Sequence, residues 1–370
     1  MVRAFLGPNA TLDNIVPRPG DGQVFIRARP LQAEPFPLHN PTMHNLVTGG
    51  TGYFGGRLVE GLLDRGETVR AIRRMTSDVS RLSGAVELMQ GDVTDPASLA
   101  RAMEDCDRVF HTAALVKTWD PDPEAFHRIN VEGARNVALA AKSAGIPLIY
   151  TSSFFALGPT GEHPVDEDHS RPAPNYFTEY EKTKTEADQM IRKMNEEEGL
   201  GAIILYPGVI YGPGPLTQGN HVSQLVRDFL RHKVPGVPGN GSQRWTYSHI
   251  DDVVEGHLLA AEKAVPGSRY ILGGPIATLD ETFAILAEAT GQKPPRFHLP
   301  IGLLKGFGWI GEMAGHITGK APEVTRGVAE TYRHHWAFSP KRAETELGYA
   351  MKDLKAGLTE LVDYLKAFSK

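Results

Sequence analysis

The stretch HNLVTGGTGYFGGRL, residues His44–Leu58, decides the fold. Its first five residues form a short apolar run that predicts a buried β-strand, and a helical pattern follows the glycines. Three of these glycines recur at every third residue between the two elements. Glycines at this place let the backbone turn tightly and approach a pyrophosphate, while the helix that begins there presents unpaired amide hydrogens. The residues of this turn that are predicted to bind a dinucleotide are Gly49, Gly52, Tyr53, Phe54 and Gly55.

Apolar runs and helical patterns alternate along the chain after this turn. Four further runs are predicted as strands, namely TVRAI (68–72), VELMQ (86–90), RVFHTAA (108–114) and IPLIYTSS (146–153). Helical patterns occupy residues 96–103 and 130–145. Apolar runs separated by helices are typical of a parallel sheet that helices cover on both faces. The predicted fold class is therefore α/β, a doubly wound parallel sheet of the Rossmann type.

The pattern divides the chain into three parts. Residues 43–275 are predicted to form the dinucleotide-binding domain, with the alternation described above. Beyond them the alternation gives way to helices, so 276–370 are predicted to form a smaller, mostly helical substrate-binding lobe, to which 158–175 and 213–243 contribute. Residues 1–42 contain seven prolines and no helical period, which predicts a poorly ordered extension. The expected location is cytoplasmic, or a plastid or mitochondrion if the extension is a transit peptide.

Composition excludes several classes of protein. The chain has 370 residues, is 41% hydrophobic and carries a formal net charge of -5, so it has no general attraction to nucleic acid or to anionic membranes. Its single cysteine, Cys106, makes neither an intramolecular disulfide nor a cysteine-ligated zinc site, and no metal is expected. No window reaches the ~18 consecutive apolar residues that a transmembrane helix needs.

The end of the second predicted strand bears on the choice of cofactor. An acidic residue at this place would hold the ribose hydroxyls of NAD, whereas an arginine favours the 2′-phosphate of NADP. The sequence here is VRAIRRMTSD, with Arg70, Arg73 and Arg74 before the first acid, Asp78. This pattern favours NADP through Arg74, although arginines that only solvate a strand edge would look the same.

The segment GDVTD follows the third predicted strand. Asp92 and Val93 are placed to border the adenine of the cofactor. Asp95 stands directly before a helix that begins at Pro96, where it would cap the helix instead of binding a ligand.

The segment EYEKTK, Glu179–Lys184, indicates the chemistry. Tyr180 and Lys184 are four residues apart, so they lie on one face of a helix. Free tyrosine has a pKa of ~10, and a neighbouring ammonium lowers that pKa by stabilising the phenolate. Ser152 and Ser153 end the fifth predicted strand, at the edge where ligands bind in such sheets. Together these residues predict a proton-handling set beside a nicotinamide that takes or gives hydride; a solvated Tyr–Lys pair is the alternative.

Several motifs occur in the order of a known family. They are TGGTGYFGG, GDVTD, HTAA, NVEGARNV, YTSS and Tyr180-x-x-x-Lys184. On these motifs the sequence resembles the extended short-chain dehydrogenase/reductases from Met43 to its end. Within that family YTSSFFALG, LYPGVIYGPG, HIDDVVEGH and KRAETELGY are similar to the dihydroflavonol-4-reductase-like branch, and the sequence resembles the plant NAD-dependent farnesol dehydrogenases of that branch.

The resemblance implies a role for each matching residue. Ser153, five residues before Gly158, would be the catalytic serine, Tyr180 the acid/base, and Lys184 the residue that holds the nicotinamide ribose. Asn130 would help to order water near the site. The remaining cofactor contacts that the resemblance implies are Ala113, Ala114, Pro207, Gly208 and Val209. The cofactor stays NAD or NADP, because the resemblance to the farnesol dehydrogenases implies NAD and the arginines imply NADP.

Apolar residues of the predicted pocket favour a small lipophilic substrate, unless most of them pack the core of the lobe itself. They are Phe154, Phe155, Phe297, Leu303, Leu304, Phe307, Trp309, Ile310 and Met313. The expected reaction interconverts a lipophilic alcohol, such as an isoprenoid alcohol, and its carbonyl compound. The alternatives are a sugar-nucleotide epimerase or a flavonoid or steroid reductase of the same fold, and a dinucleotide-binding protein without catalysis. Assembly as a homodimer is left open.

Overall fold

The computed structural model describes residues 43–171, 173–217 and 219–368. The predictions for residues 1–42 lie outside this range. The strands are β1 (His44–Thr48), β2 (Thr68–Arg73), β3 (Glu87–Gln90), β4 (Arg108–His111), β5 (Leu148–Thr151), β6 (Ile203–Pro207), β7 (Val209–Tyr211), β8 (Val237–Pro238), β9 (Arg244–His249), β10 (Arg269–Leu272), β11 (Ile276–Thr278) and β12 (His298–Leu299).

The helices account for most of the remaining described chain. They are α1 (Tyr53–Asp64), α2 (Pro96–Met103), α3 (Glu124–His127), α4 (Gly133–Ala144), α5 (Phe154–Leu157), α6 (Glu179–Glu198), α7 (His221–Leu230), α8 (Ile250–Lys263), α9 (Leu279–Thr290), α10 (Ile301–Thr318), α11 (Arg326–Thr331), α12 (Lys341–Leu347) and α13 (Leu354–Phe368). A π-helical turn (Arg128–Glu132) leads into α4. No helix among the described residues combines the length and apolarity needed to cross a membrane.

Seven strands form one sheet in the order β10-β6-β5-β4-β1-β2-β3. Each adjacent pair is parallel. The predicted doubly wound sheet is confirmed. The strand order reverses at β1, between β2 and β4, and a ligand crevice opens outside the carboxyl ends of the strands at such a point.

The sheet is covered on both faces because its strands alternate their side chains between two cores. Leu46 belongs to one buried cluster, which includes residues of α2, α4 and α6. Val47 belongs to the other, which includes residues of α1 and α8. The predicted strands at 108–114 and 146–153 are shorter in the structure, ending at His111 and Thr151. Their last residues leave the sheet and enter the crevice.

Two small sheets and the C-terminal helices complete the described chain. The first sheet has the order β11-β9-β7, and the second pairs β8 with β12. Helix α10 packs against α11, and α13 packs against α9 and α7. Helix α12 instead contacts α8 and β10, so part of the C-terminal segment covers the main sheet. The boundary between 275 and 276 stays a prediction.

Candidate active site

A cavity of about 610 Å³ lies at the carboxyl ends of β1, β4, β5 and β6. It brings together nearly all the residues that the sequence predicted for cofactor and catalysis. The predicted residues that line it are Gly49, Gly52, Tyr53, Phe54, Gly55, Arg74, Asp92, Val93, Ala113, Ala114, Ser153, Tyr180, Lys184, Pro207, Gly208 and Val209. Asn130 is the predicted residue that does not line it. The individual roles stay predictions, but their common location is a property of the fold.

The glycine turn is shaped for a phosphate group. Gly49 has a φ of +78°, and its carbonyl oxygen accepts a hydrogen bond of 2.9 Å from the amide of Gly52. A Cβ at Gly55 would clash with that same carbonyl. Gly52 begins α1 without a side-chain cap, so the first amides of the helix are left for a ligand. The residues present therefore fit the pyrophosphate of a dinucleotide.

The side chains of Tyr53 and Phe54 anchor the glycine turn to neighbouring segments. The Tyr53 hydroxyl donates to the carbonyl oxygen of Gly212 at 3.0 Å. Burial raises the pKa of this phenol, so Tyr53 stays neutral. The Phe54 ring packs against His257, with 4.7 Å between the ring centroids. These contacts fix the orientation of the first turn of α1.

The arginines after β2 differ in their surroundings. Arg70 forms an ion pair with Glu87 and donates a hydrogen bond of 3.0 Å to the carbonyl oxygen of Ala102, so its role is structural. Arg74 is exposed and lines the cavity. Arg70 therefore stabilises the fold, whereas Arg74 is accessible to a bound cofactor.

The segment after β3 borders the same part of the cavity. The Asp92 carboxylate accepts hydrogen bonds from the amide and hydroxyl of Thr94, which shape the turn. The carbonyl of Val93 accepts a hydrogen bond of 3.0 Å from Asn136 of α4. Asp95 caps α2 through the amide of Ala97 at 3.0 Å, as the alternative interpretation of this residue predicted.

Ser153 and Tyr180 meet inside the cavity. Ser153 begins α5 and accepts a hydrogen bond of 3.3 Å from the amide of Phe155. Tyr180 lies in the first turn of α6, which Thr178 caps through the amide of Glu181. Burial of its hydroxyl raises the pKa of Tyr180 to about 12, while a hydrogen bond from Ser153 lowers it. The phenol is therefore neutral at physiological pH.

Lys184 lies one turn further along α6 and is 3% exposed. Its ammonium donates to the carbonyl oxygen of Thr151, the last residue of β5, at 2.8 Å. Burial lowers the pKa of Lys184 to about 8. The expected lowering of the Tyr180 pKa by this ammonium is not what the structure shows, because burial of the phenol is the dominant effect.

A buried carboxylate beneath Lys184 was missed by the sequence reasoning. Asp188 is 2% exposed and accepts a hydrogen bond of 3.0 Å from Ser152. Tyr206 of β6 also hydrogen-bonds it, which lowers the Asp188 pKa, whereas burial raises that pKa and is the larger effect. Asp188 raises the pKa of Lys184 and so opposes the effect of burial on the ammonium. It lies among the buried positions 184, 187, 188, 191 and 194 of the helix, a period that the sequence displays.

Asn130 joins two elements beside the cavity. Its side-chain carbonyl accepts from the amide of Leu115 at 2.7 Å, and its amide group donates to Thr183 of α6 at 3.0 Å. It also donates to the carbonyl of Leu115 at 3.3 Å. These bonds hold the segment after β4 against the helix that carries Tyr180. Its predicted part in ordering water stays a prediction.

The part of the cavity beyond Tyr180 is apolar and aromatic. Phe155 packs edge-on against Tyr180, with 6.2 Å between their ring centroids. Trp245 lies 6.2 Å from Phe155 and 5.5 Å from Tyr332, measured between ring centroids. Leu225 and other residues of α7 and α11 complete this wall. Trp245 and Tyr332 are far from Phe155 in the sequence, so no local sequence pattern predicts that they line the same cavity.

The prediction for the C-terminal apolar residues was mostly wrong. Phe154 and Phe155 line the cavity as expected. The residues that do not line it are Phe297, Leu303, Leu304, Phe307, Trp309, Ile310 and Met313. All of these but Leu304 are exposed, and those of α10 lie on a face of the helix that is turned away from the cavity. From the predicted segment 213–243, Thr217, Gly219, His221, Val222 and Leu225 line the cavity, whereas no described residue of 158–175 does.

One group of potential metal ligands lies outside the cavity. Atoms of His249, Asp251 and Glu360 come within 4.8 Å of one another. The ammonium of Lys352 lies among them, 2.6 Å from Glu360 and 3.8 Å from Asp251. The Lys352 ammonium neutralises part of the negative charge of Asp251 and Glu360. The group is an ion-pair network.

A model of the NAD-dependent epimerase/dehydratase family matches residues 45–273, which contain all but the first residue of the main sheet, the glycine turn and the Ser–Tyr–Lys set. The chain belongs to that family. Membership confirms the predicted resemblance to the extended short-chain enzymes. The protein is thus an oxidoreductase-type enzyme of this family with a nicotinamide dinucleotide as its cofactor.

Curated relatives match across most of the chain. A putative dihydroflavonol 4-reductase of Synechocystis sp. is 31% identical over 86% of this chain and 94% of its own length. The sterol demethylase protein B of Methylococcus capsulatus is 35% identical over 72% of this chain and 80% of its own. A 4-hydroxy-2-methyl-3-oxo-4-farnesyl-3,4-dihydroquinoline-1-oxide ketoreductase of Stigmatella aurantiaca is 31% identical over 83% and 92%. The crystal structure of gox2253 is 33% identical, with a TM-score of 0.74, and covers 89% of this chain and 99% of that one.

Proposed function

We propose that this enzyme is an NAD(P)-dependent alcohol dehydrogenase that interconverts a lipophilic alcohol and its carbonyl compound, with an isoprenoid alcohol such as farnesol as the first candidate. One observation carries the proposal. The Tyr180 hydroxyl, hydrogen-bonded to Ser153, lies in the same cavity as the glycine turn and against an aromatic wall. A proton donor, a cofactor turn and an apolar surface therefore meet at one place.

The chain's own residues perform the proton chemistry. The nicotinamide, when bound along Pro207, Gly208 and Val209, supplies or accepts the hydride. In reduction, Tyr180 gives its proton to the carbonyl oxygen as that oxygen gains negative charge. The Ser153 hydroxyl donates a hydrogen bond to the same oxygen. In oxidation the Tyr180 oxygen removes the hydroxyl proton.

The raised pKa of Tyr180 suits a proton donor at neutral pH. Tyr180 is a neutral acid up to about pH 12 in this structure, so it can donate a proton throughout the physiological range. Oxidation needs the phenolate, whose population rises with pH. The rate of alcohol oxidation is therefore expected to increase toward alkaline pH.

The lining of the cavity supports a lipophilic substrate over a sugar nucleotide. The described wall beyond Tyr180 carries rings and aliphatic groups, without an arginine to clamp a diphosphate. Arg244, a candidate for such a clamp, instead donates to the carbonyl oxygen of Glu162. Two relatives have names that include a sterol and a farnesyl group, which is consistent with this choice.

The proposal is tested by following nicotinamide absorbance at alkaline pH with farnesol and with shorter and cyclic alcohols. NAD and NADP are compared in parallel. A Tyr180→Phe variant should lose about 10²–10⁴-fold in rate, whereas Tyr176→Phe, a control four residues earlier and outside the cavity lining, should not. Cofactor binding without turnover of any alcohol would favour an epimerase or a non-catalytic binder.

A further inference from the structure

Helix α10 presents an apolar outer face that nothing in the described chain covers. Its exposed large side chains are Leu303 (49% exposed), Phe307 (59%), Trp309 (54%), Ile310 (60%), Met313 (49%) and Ile317 (83%). At roughly 100° per residue these six positions span about 160° of the helix circumference. Phe297, which is 68% exposed, lies shortly before the helix. A contiguous exposed surface of this kind marks an interaction site.

The charged residues of α10 are turned away from this face. Lys305 pairs with Glu330, and Glu312 pairs with Arg326 at 2.7 Å. Both partners lie in or next to α11, on the protein side of the helix. Gly308 lets α10 approach closely there, since a Cβ at this position would lie 2.7 Å from the amide nitrogen of Arg326. The outer face is therefore held rigidly and free of aspartate, glutamate, lysine and arginine.

Exposed basic residues flank α10 in the sequence at both of its ends. Lys293 and Arg296 precede α10, and Lys320 follows it; all three are exposed. None of the ion pairs between described residues involves any of them. Apolar side chains between unpaired cations are what an interfacial helix presents to a bilayer with anionic headgroups.

We propose that α10 docks the enzyme on the surface of an anionic phospholipid bilayer. The helix lies in the plane of the interface, with its apolar face among the acyl chains and its flanking cations on the headgroups. A bilayer suits this surface better than a second copy does, because two such faces would bring their flanking cations together. The docking does not depend on the substrate.

The location of α10 connects docking on a membrane with access of substrate to the cavity. Helix α10 packs on α11, whose Val328 and Thr331 line the cavity. A docked enzyme would hold that cavity near the membrane in which a lipophilic alcohol dissolves. This consequence, unlike the docking itself, rests on the proposed function.

Flotation of the full chain with vesicles tests the proposal. One vesicle contains phosphatidylcholine with phosphatidylglycerol, and the other contains phosphatidylcholine alone. The full chain should float with the anionic vesicles. A Phe307→Ser, Ile310→Ser double variant should bind at least about tenfold more weakly. The matched control, Leu139→Ser with Val265→Ser, changes two exposed apolar residues elsewhere and should bind normally.

Two further measurements make the outcome decisive. The Lys293→Gln, Arg296→Gln, Lys320→Gln variant should lose its preference for anionic vesicles. Cofactor binding by each variant reports whether it is folded, so failure to fold is recognised without any substrate. Absence of wild-type binding to both vesicles would overturn the proposal. A wild-type dimer that dissociates in the Phe307→Ser, Ile310→Ser variant, without vesicle binding, would assign the face to a second copy instead.

Discussion

The Asp188 carboxylate and the Lys184 ammonium lie one helical turn apart on α6, and both side chains are buried at 2% and 3% exposure. Asp188 raises the pKa of Lys184, which burial lowers to about 8. The same carboxylate is hydrogen-bonded by Ser152, the neighbour of Ser153. Asp188 is therefore a positioning residue that keeps Lys184 charged beneath the site.

Replacing Asp188 by Asn should lower the pKa of Lys184 below about 8, because the opposite charge is removed while the burial remains. The alkaline limb of the pH profile for carbonyl reduction should then move to lower pH. A fall of about one pH unit corresponds to roughly a tenfold loss of rate on that limb. Asp188→Glu, which keeps the charge, should restore most of the profile. An unchanged limb in Asp188→Asn would remove Asp188 from this role.

Replacing Lys184 by Met should abolish activity and remove the contribution of Lys184 to the pH dependence of stability. Burial lowers the pKa of Lys184 from 10.5 to about 8, so the buried ammonium is unfavourable for folding at neutral pH. The substitution also leaves the buried Asp188 carboxylate without its opposite charge, so the two effects on stability at pH 7 oppose each other.

The lowered pKa of Lys184 predicts how the free energy of unfolding changes with pH. Between about pH 8 and 10.5 the unfolded chain binds more protons at Lys184, so wild-type stability rises through that window and the penalty is fully present below it. Urea unfolding at several pH values checks this. The Lys184→Met variant should lack that rise, and an equal rise in the variant would contradict the assignment.

Arg74 should decide the preference between cofactors. Because it is exposed at the cavity, Arg74→Ala should weaken NADP binding by about tenfold and leave NAD binding nearly unchanged. Arg81→Ala, which removes an exposed arginine of the same segment outside the cavity lining, is the matched control. Fluorescence titration with both cofactors gives the affinities. Equal losses for NAD and NADP would show that Arg74 does not read the 2′-phosphate.

Gly55→Ala should abolish dinucleotide binding. The new Cβ would clash with the carbonyl of Gly49 and distort the turn that receives the pyrophosphate. Gly56→Ala is a milder change in the same helix, since its Cβ would meet the nearest atom, the carbonyl oxygen of Gly50, at 3.3 Å. Calorimetric titration should show binding by Gly56→Ala and none by Gly55→Ala. Normal binding by Gly55→Ala would mean that the pyrophosphate lies elsewhere.

The sequence predicts the sheet and the cofactor side of the site well. The bounds of β1 and α2 agree with the predicted segments, since a short apolar run and a capped helix are local signals. The predicted ends of two strands, β4 and β5, were less accurate. The run at 108–114 is apolar beyond His111, but its last residues line the cavity instead of pairing with a neighbour.

The substrate side could not be predicted, for two physical reasons. Apolarity along α10 does not say which way the helix faces, and the structure turns Phe307 and Ile310 outward. The aromatic wall joins Phe155 to Trp245 and Tyr332 across long separations in sequence. Asp188 is different, because its place in a buried helical period was available in the sequence and was overlooked.

Transfer of deuterium tests the central claim most directly. NADH or NADPH with both C4 hydrogens of the nicotinamide replaced by deuterium is incubated with farnesal, and the farnesol formed is analysed by mass spectrometry. We expect deuterium at the carbinol carbon of the farnesol, with about 10²–10⁴-fold slower labelling by Tyr180→Phe than by wild type. Absence of label from farnesol and from every other lipophilic alcohol tried, or equal labelling by the Tyr180→Phe variant, would contradict the account.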